Sequence, residues 1–157
     1  MIDCAYCNLP EIKERAIFRG ELAWVFPTNI PIVPGHVLVC PVRHVEKFEE
    51  LTSEEKNAIF ALAENTKIVL RELLGAEGFH HAWNEGKIAG QSVPHFHLHL
   101  VPRKEGDAGI VDYEPRKFLY RPGSRDATPE AELKSIASEI SEKLATLHIK
   151  ASSHNMF

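Results

Sequence analysis

The run His95-Phe96-His97-Leu98-His99-Leu100-Val101 constrains this chain more than any other segment. Successive side chains of a β-strand point to opposite faces, so on a strand the three imidazoles share one face while Phe96, Leu98 and Leu100 share the other. One face then carries chemistry and the other joins a core. At about 3.3 Å per residue, neighbouring imidazoles stand roughly 6.6 Å apart and the outer pair roughly 13 Å apart. That spacing excludes one metal ion held by all three, although two of them could share one. A strand serving only as core would more readily carry valine or threonine at these positions.

The residues leading into the run, Asn84-Glu85-Gly86-Lys87-Ile88-Ala89-Gly90-Gln91-Ser92-Val93, bring two glycines and several small polar donors. Glycine permits close backbone approach, and amide and hydroxyl donors suit phosphate oxygens. For Asn84 and Gln91 the alternative is loop capping.

Upstream, Ala16 to Arg19, Glu21 to Phe26 and His36 to Pro41 read as short strands, with Gly20 at a tight turn and Pro31, Pro34 and Gly35 in a constrained loop. Thr52 and Glu55 form a capping-box pattern, after which Ile59, Leu62, Thr66, Val69, Leu70 and Leu73 recur at helical spacing until Gly75. Phe79 to Trp83 and Pro94 to Val101 complete about five antiparallel strands. Pro129 to Leu147 repeats the helical pattern through Leu133, Ile136, Ile140 and Leu144, with glutamate enriched near its start. The pattern predicts an α+β domain. Tyr113 to Arg125 shows no period and is expected to wrap a surface, and Ala151 to Phe157 are expected to be mobile.

A length of 157 residues suits one domain, and no linker divides it. The formal charge of −4 gives no basic footprint, so no duplex nucleic acid is expected and any nucleotide ligand should be small. Arg103 and Lys104 read as solvated surface charges, with substrate contact as the alternative. No signal core or membrane-length apolar run is present, which points to the cytoplasm and to no membrane partner. Three cysteines argue against a disulfide framework; Cys4 and Cys7 read as half a metal site, with a reduced, metal-free pair as the alternative, and Cys40 as a buried core thiol.

Joined to the donor loop, His95-Phe96-His97-Leu98-His99-Leu100-Val101-Pro102-Arg103 resembles the signature of the histidine triad (HIT) family of nucleotide hydrolases and transferases. Pro34-Gly35-His36-Val37-Leu38-Val39-Cys40-Pro41 is similar to that family's other hallmark segment. The likeness covers most of residues 4 to 104. It implies an α+β HIT-like fold over 1–157, with a core of about 4–104, a C-terminal extension of about 105–157, a sheet of about five antiparallel strands, a long helix and a C-terminal helix. It also implies a homodimer.

By the same resemblance His97 is the nucleophile. A neutral imidazole attacks the α-phosphorus, and water then releases the nucleotide from a nucleotidyl-histidine. His99 and His36 support the reaction, while Asn84, Gln91 and Ser92 fall where relatives contact phosphates. Tyr6, Leu9 and Phe26 fall where relatives enclose the base. Thr28 stands where many relatives carry Asp or Asn for the ribose hydroxyls, so its hydroxyl or the adjacent Asn29 is expected to take the sugar. Some bacterial members, and the related hexose-phosphate uridylyltransferases, complete a cysteine pair like Cys4 and Cys7 with residues matching His44 and His95. That implies a closed structural zinc site, in which His95 orients its strand and takes no part in proton transfer.

The tail resembles the fragile-histidine-triad branch of dinucleoside polyphosphate hydrolases, whereas Asn84-Glu85-Gly86 is closer to the phosphoramidase branch. A third histidine, His99, instead of the glutamine typical of transferases favours hydrolysis. Dinucleoside polyphosphate hydrolysis is the expected activity. Nucleoside phosphoramidate hydrolysis and a nucleotide-binding interaction module without significant turnover are the alternatives. The cations of Lys104 to Arg125 are expected to meet the far end of a long substrate.

Overall fold

The computed structural model describes residues 3–109 and 126–154. Five strands pair antiparallel in the spatial order β1-β2-β3-β5-β4: β1 (Phe18–Arg19), β2 (Ala23–Pro27), β3 (Val37–Pro41), β4 (Gly78–Ala82) and β5 (Leu98–Arg103). The register aligns Val25 with Val39, Val39 with Leu98, and Leu38 with His99. Cross-strand partners project to the same side, so the sheet acquires one face that is apolar apart from His81, opposite Leu100 on the edge strand β4, and one that carries the histidines of the run.

The apolar face is covered by two helices, α3 (Ser53–Leu74) and α4 (Glu130–His154). Val25, Val37, Val39, Leu98 and Leu100 meet Ile59, Leu62, Val69 and Leu70 of α3, and Ala137, Ile140 and Leu144 of α4, in one buried cluster. The capping box holds as expected: Thr52 Oγ1 accepts from the Glu55 N–H at 3.1 Å, and Glu55 Oε2 accepts from the Thr52 N–H at 2.9 Å. Gly75 ends α3 in the left-handed region at φ 68°. Arg43 clamps Glu55 with two hydrogen bonds of 2.8 Å, fastening the start of α3 to the turn after β3.

The opposite face meets an N-terminal arm containing α1 (Ala5–Asn8) and α2 (Pro10–Glu14). Cys4, Tyr6 and Ile12 pack there against Trp24, Phe26, Leu38 and Cys40. Gly35, at φ 88°, lets the chain turn into β3 hard against Leu70, Leu74 and Pro102; a Cβ there would collide with Leu74 and crowd the other two. That turn delivers His36 to the histidine face.

Two expectations shift. The last strand was expected over Pro94 to Val101, but pairing begins only at Leu98. Pro94 lacks an N–H, the His95 N–H turns back to the Val93 carbonyl at 2.8 Å, and the Phe96 N–H goes to Val45 at 2.6 Å. His95 and His97 therefore stand on an irregular lead-in, yet the alternation survives, because Phe96 still joins the apolar side. The C-terminal helix, expected to end at Leu147, runs on to His154; alanine favours helix and no Gly or Pro interrupts the segment. Tyr113 to Arg125, with most of the expected cationic surface, lies outside the described residues. Among the described residues no helix is long and apolar enough to cross a membrane.

Candidate functional site

A cavity of about 400 Å³ opens on the histidine face, between the N-terminal arm, the end of β2 and the lead-in to β5. His36, His97 and His99 line it together, as do Ser92, Thr28 and Asn29. Tyr6, Leu9 and Phe26 supply apolar wall, so every candidate residue except the two loop amides and the metal group borders this one space.

Hydrogen bonds fix the tautomers. His97 is 3 % exposed, and its Nδ1 lies 2.7 Å from the His95 carbonyl oxygen. A carbonyl only accepts, so Nδ1 carries the proton and Nε2 keeps its lone pair. Burial lowers the His97 pKa, which holds the ring neutral at physiological pH. His36 Nδ1 accepts the Ile32 N–H at 3.1 Å, which leaves its proton on Nε2. That Nε2 donates to His99 Nδ1 at 2.9 Å, so a neutral His99 is protonated on Nε2. One face thus holds an imidazole with a free lone pair beside another bearing a donor proton, their centroids 5.0 Å apart. The Tyr6 ring stands edge-on to His97 at 5.4 Å and contacts Phe26 at 5.2 Å, closing the floor.

His95 faces elsewhere. Its Nε2 donates to the Pro41 carbonyl at 2.9 Å, which turns the Nδ1 lone pair toward Cys4 Sγ at 3.5 Å and Cys7 Sγ at 3.6 Å. His44 Nδ1 lies 3.6 Å from Cys7 Sγ. The four donor atoms all fall within 4.8 Å of one another and form a group that could hold a metal ion. Burial pushes His95 down to about 4, so it is neutral and able to ligate. Without an ion, burial and the neighbouring Cys4 thiol push Cys7 up to about 11. Cys40 is fully buried, and burial raises its thiol further from ionisation.

The loop amides lie apart from the cavity wall. Gln91 Oε1 accepts from the Gly86 N–H and its Nε2 donates to the Glu46 carbonyl, both at 2.8 Å, so the side chain braces the loop ahead of the histidines. Asn84 Nδ2 is buried with no hydrogen-bond partner among the described residues. Arg103 is held by Asp107 through bonds of 2.8 and 2.7 Å, and this guanidinium keeps the Asp107 carboxyl far below the usual carboxylate range.

Sequence reasoning missed Arg15 and Glu130, both on the cavity wall. Arg15 is buried, donating from Nε to the Pro27 carbonyl at 3.2 Å and from Nη1 to Glu130 Oε1 at 2.7 Å. No motif marks an arginine in a charged N-terminal arm as buried, and the glutamates opening a helix read simply as complements to its dipole.

The sheet order, the paired helices and the histidine-lined cavity beside a Cys2His2 group define an α+β protein of the histidine-sheet kind. Residues 9–106 match the HIT domain, and the chain belongs to that family. It is 34% identical over 130 residues to a bis(5'-adenosyl)-triphosphatase of Dictyostelium discoideum, covering 82% of this chain and 84% of that protein. A bis(5'-nucleosyl)-tetraphosphatase (asymmetrical) of Schizosaccharomyces pombe is 34% identical over 61% of this chain and 53% of its own length. Among solved structures, a Zn-bound histidine triad family protein from Mycobacterium smegmatis superposes with a TM-score of 0.70 at 26% identity, covering 92% of this chain and 97% of the other.

Proposed function

We propose that the protein hydrolyses dinucleoside polyphosphates at the α-phosphate, with His97 as the nucleophile. One observation carries this reading: the His97 Nδ1–H is spent on the His95 carbonyl, so the Nε2 lone pair is the reactive end of a neutral ring in a cavity. The names of the relatives support a phosphoanhydride as the bond broken. Nε2 would form a bond to the α-phosphorus as the bond to the bridging oxygen breaks, and the departing oxyanion would leave as a nucleotide. Water would then cleave the phosphorus–nitrogen bond, releasing a nucleoside monophosphate and restoring His97. His99, donating from Nε2 with its proton held there by His36, would stabilise charge on a phosphate oxygen. Ser92 would add a hydroxyl donor, while Gln91 would act by shaping the loop.

Zinc suits the Cys4, Cys7, His44 and His95 group. Tetrahedral zinc with two thiolates and two imidazoles needs sulfur–nitrogen edges of about 3.6 Å, and the three measured edges are 3.5, 3.6 and 3.6 Å. The Pro41 carbonyl supplies the outer hydrogen bond such a ligand requires. A closed set of four protein ligands would tie the arm to the sheet and leave the reaction to the histidines. The thiol pair also suits a reducing compartment such as the cytoplasm. β4 ends the sheet with one side unpaired among the described residues, an edge on which a second copy would form the expected homodimer.

The decisive experiment is alkaline quench of the wild-type protein during turnover of diadenosine triphosphate, followed by peptide mass analysis at alkaline pH. An alkali-stable nucleotidyl adduct on His97 is expected. Turnover of His97→Ala at the wild-type rate would overturn the covalent route. Preferential turnover of an adenosine phosphoramidate would move the substrate to that class.

A further inference from the structure

We propose that Glu130, the first residue of α4, accepts hydrogen bonds from the vicinal hydroxyls of the nucleoside sugar and so sets ribose specificity. The inference rests on the nucleotide reading above. Glu130 lies beyond the residues matching the HIT domain, yet it borders the same cavity as the histidines.

Its placement follows a chain of bonds. His99 takes the His36 Nε2–H, and the Thr28 N–H reaches the His36 carbonyl at 3.3 Å. Thr28 follows Pro27, whose carbonyl accepts Arg15 Nε, and Arg15 Nη1 holds Glu130 Oε1. The carboxylate is therefore tied to the end of β2, directly beside the residues that flank the phosphate-binding histidines. A sugar is the part of a nucleotide that adjoins the phosphate. The start of α4 is fastened there as well, because the Thr128 N–H donates to the Asn29 carbonyl at 3.0 Å.

The chemistry fits a diol. Arg15 occupies Oε1, and Oε2 has no hydrogen-bond partner among the described residues, while the Glu130 side chain is 47% exposed. Two adjacent hydroxyls offer two donors to a carboxylate that can take both, and such charge-assisted bonds are stronger than neutral ones. Thr28 Oγ1, which accepts the Ile30 N–H at 3.4 Å, has one lone pair left and carries no charge, so it offers a diol less than a carboxylate does. A merely structural role would be served by the buried Arg15 and its carbonyl bond, with the carboxylate facing bulk water instead of the cavity.

The test measures dissociation constants of adenosine 5′-monophosphate and its 2′,3′-dideoxy analogue for wild type, Glu130→Ala and Glu130→Gln, with melting temperatures beside them. Wild type should prefer the ribonucleotide at least about tenfold. Glu130→Ala should erase most of that preference while leaving the dideoxy affinity within about twofold, and Glu130→Gln should retain part of it. Should the alanine variant fail to fold, the glutamine variant carries the test, because it keeps the side chain's shape. Equal weakening of both ligands, an unchanged ratio, or no preference in wild type overturns the inference and leaves the functional reading standing. Failure of wild type to bind either nucleotide overturns the functional reading, and this assignment with it.

Discussion

The two faces of one sheet are built on opposite logics. On the helix-covered face, position is decided by removal from water: Val25, Val39, Leu70, Leu98 and Leu100 are buried among other hydrocarbon, and no hydrogen bond specifies which way each points. On the histidine face, four imidazoles are also nearly fully buried, but each is aimed by a named acceptor or donor. The contrast teaches that one face should lose stability when trimmed and the other should lose chemistry, even though both are equally inaccessible to solvent.

The sharpest test of that division is His97→Ala. On the proposed covalent route turnover should fall at least about a thousandfold, since the atom that would form the bond is gone, while the melting temperature should move little. Steady-state rates and calorimetry on the same preparation check both halves. A large loss of stability would break the comparison, because it would make His97 a packing residue.

Next in size is the helix face. Leu70→Ala should cost about 2–5 kcal/mol by opening a cavity between α3 and the sheet. Denaturant unfolding measures this, and the rate per folded molecule should stay near wild type. The Cys4→Ser, Cys7→Ser double substitution tests an intermediate case, a site on the chemical face that is expected to act structurally. Elemental analysis should find about one zinc per wild-type chain and none in the variant. The melting temperature should fall clearly, with a smaller effect on the rate of molecules that remain folded.

The smallest expected effect is electrostatic. Arg43 and the Thr52 N–H hold the buried Glu55 carboxyl below its ordinary pKa. The stabilisation is therefore present above the unfolded value of 4.5 and lost as pH falls through the lower folded value. The melting-temperature gap between wild type and Glu55→Gln should be constant near neutrality and should narrow only below pH 4.5. A gap that changes between pH 6 and 8, on the order of the range where histidine titrates, would shift the cause to the other face.

The helix face was legible in the sequence because burial leaves a period. The stripe Ile59, Leu62, Thr66, Val69, Leu70 with Thr52 and Gly75 at its ends located α3 almost to the residue. The histidine face was legible through types and spacing for the shared face of the histidine run and for Cys4 and Cys7 as half a metal site, while His36 in the cavity and His44 and His95 in the metal group came from the family resemblance. What could not be read depends on partners distant in sequence. Gln91 faces Glu46 and Gly86 because of how two loops meet, and Glu130 meets Arg15 because α4 starts at the end of β2. Neither meeting leaves any periodicity behind. The late start of β5 followed from Pro94 and Val45, one local signal and one remote.

His95 serves two regions with different atoms. Its ring belongs to the cysteine group and its carbonyl oxygen to His97. A side chain can be exchanged by mutation, whereas a main-chain oxygen is carried by every amino acid. The instruction that keeps His97 protonated on Nδ1 is thus written in an atom that substitution at position 95 cannot delete. Such substitutions can only displace it, so their kinetic damage should track how far the backbone drifts once its anchor is lost. A replacement that restored the anchor with unrelated chemistry would restore the tautomer too, which makes the alignment of the His97 ring a property of the peptide chain itself.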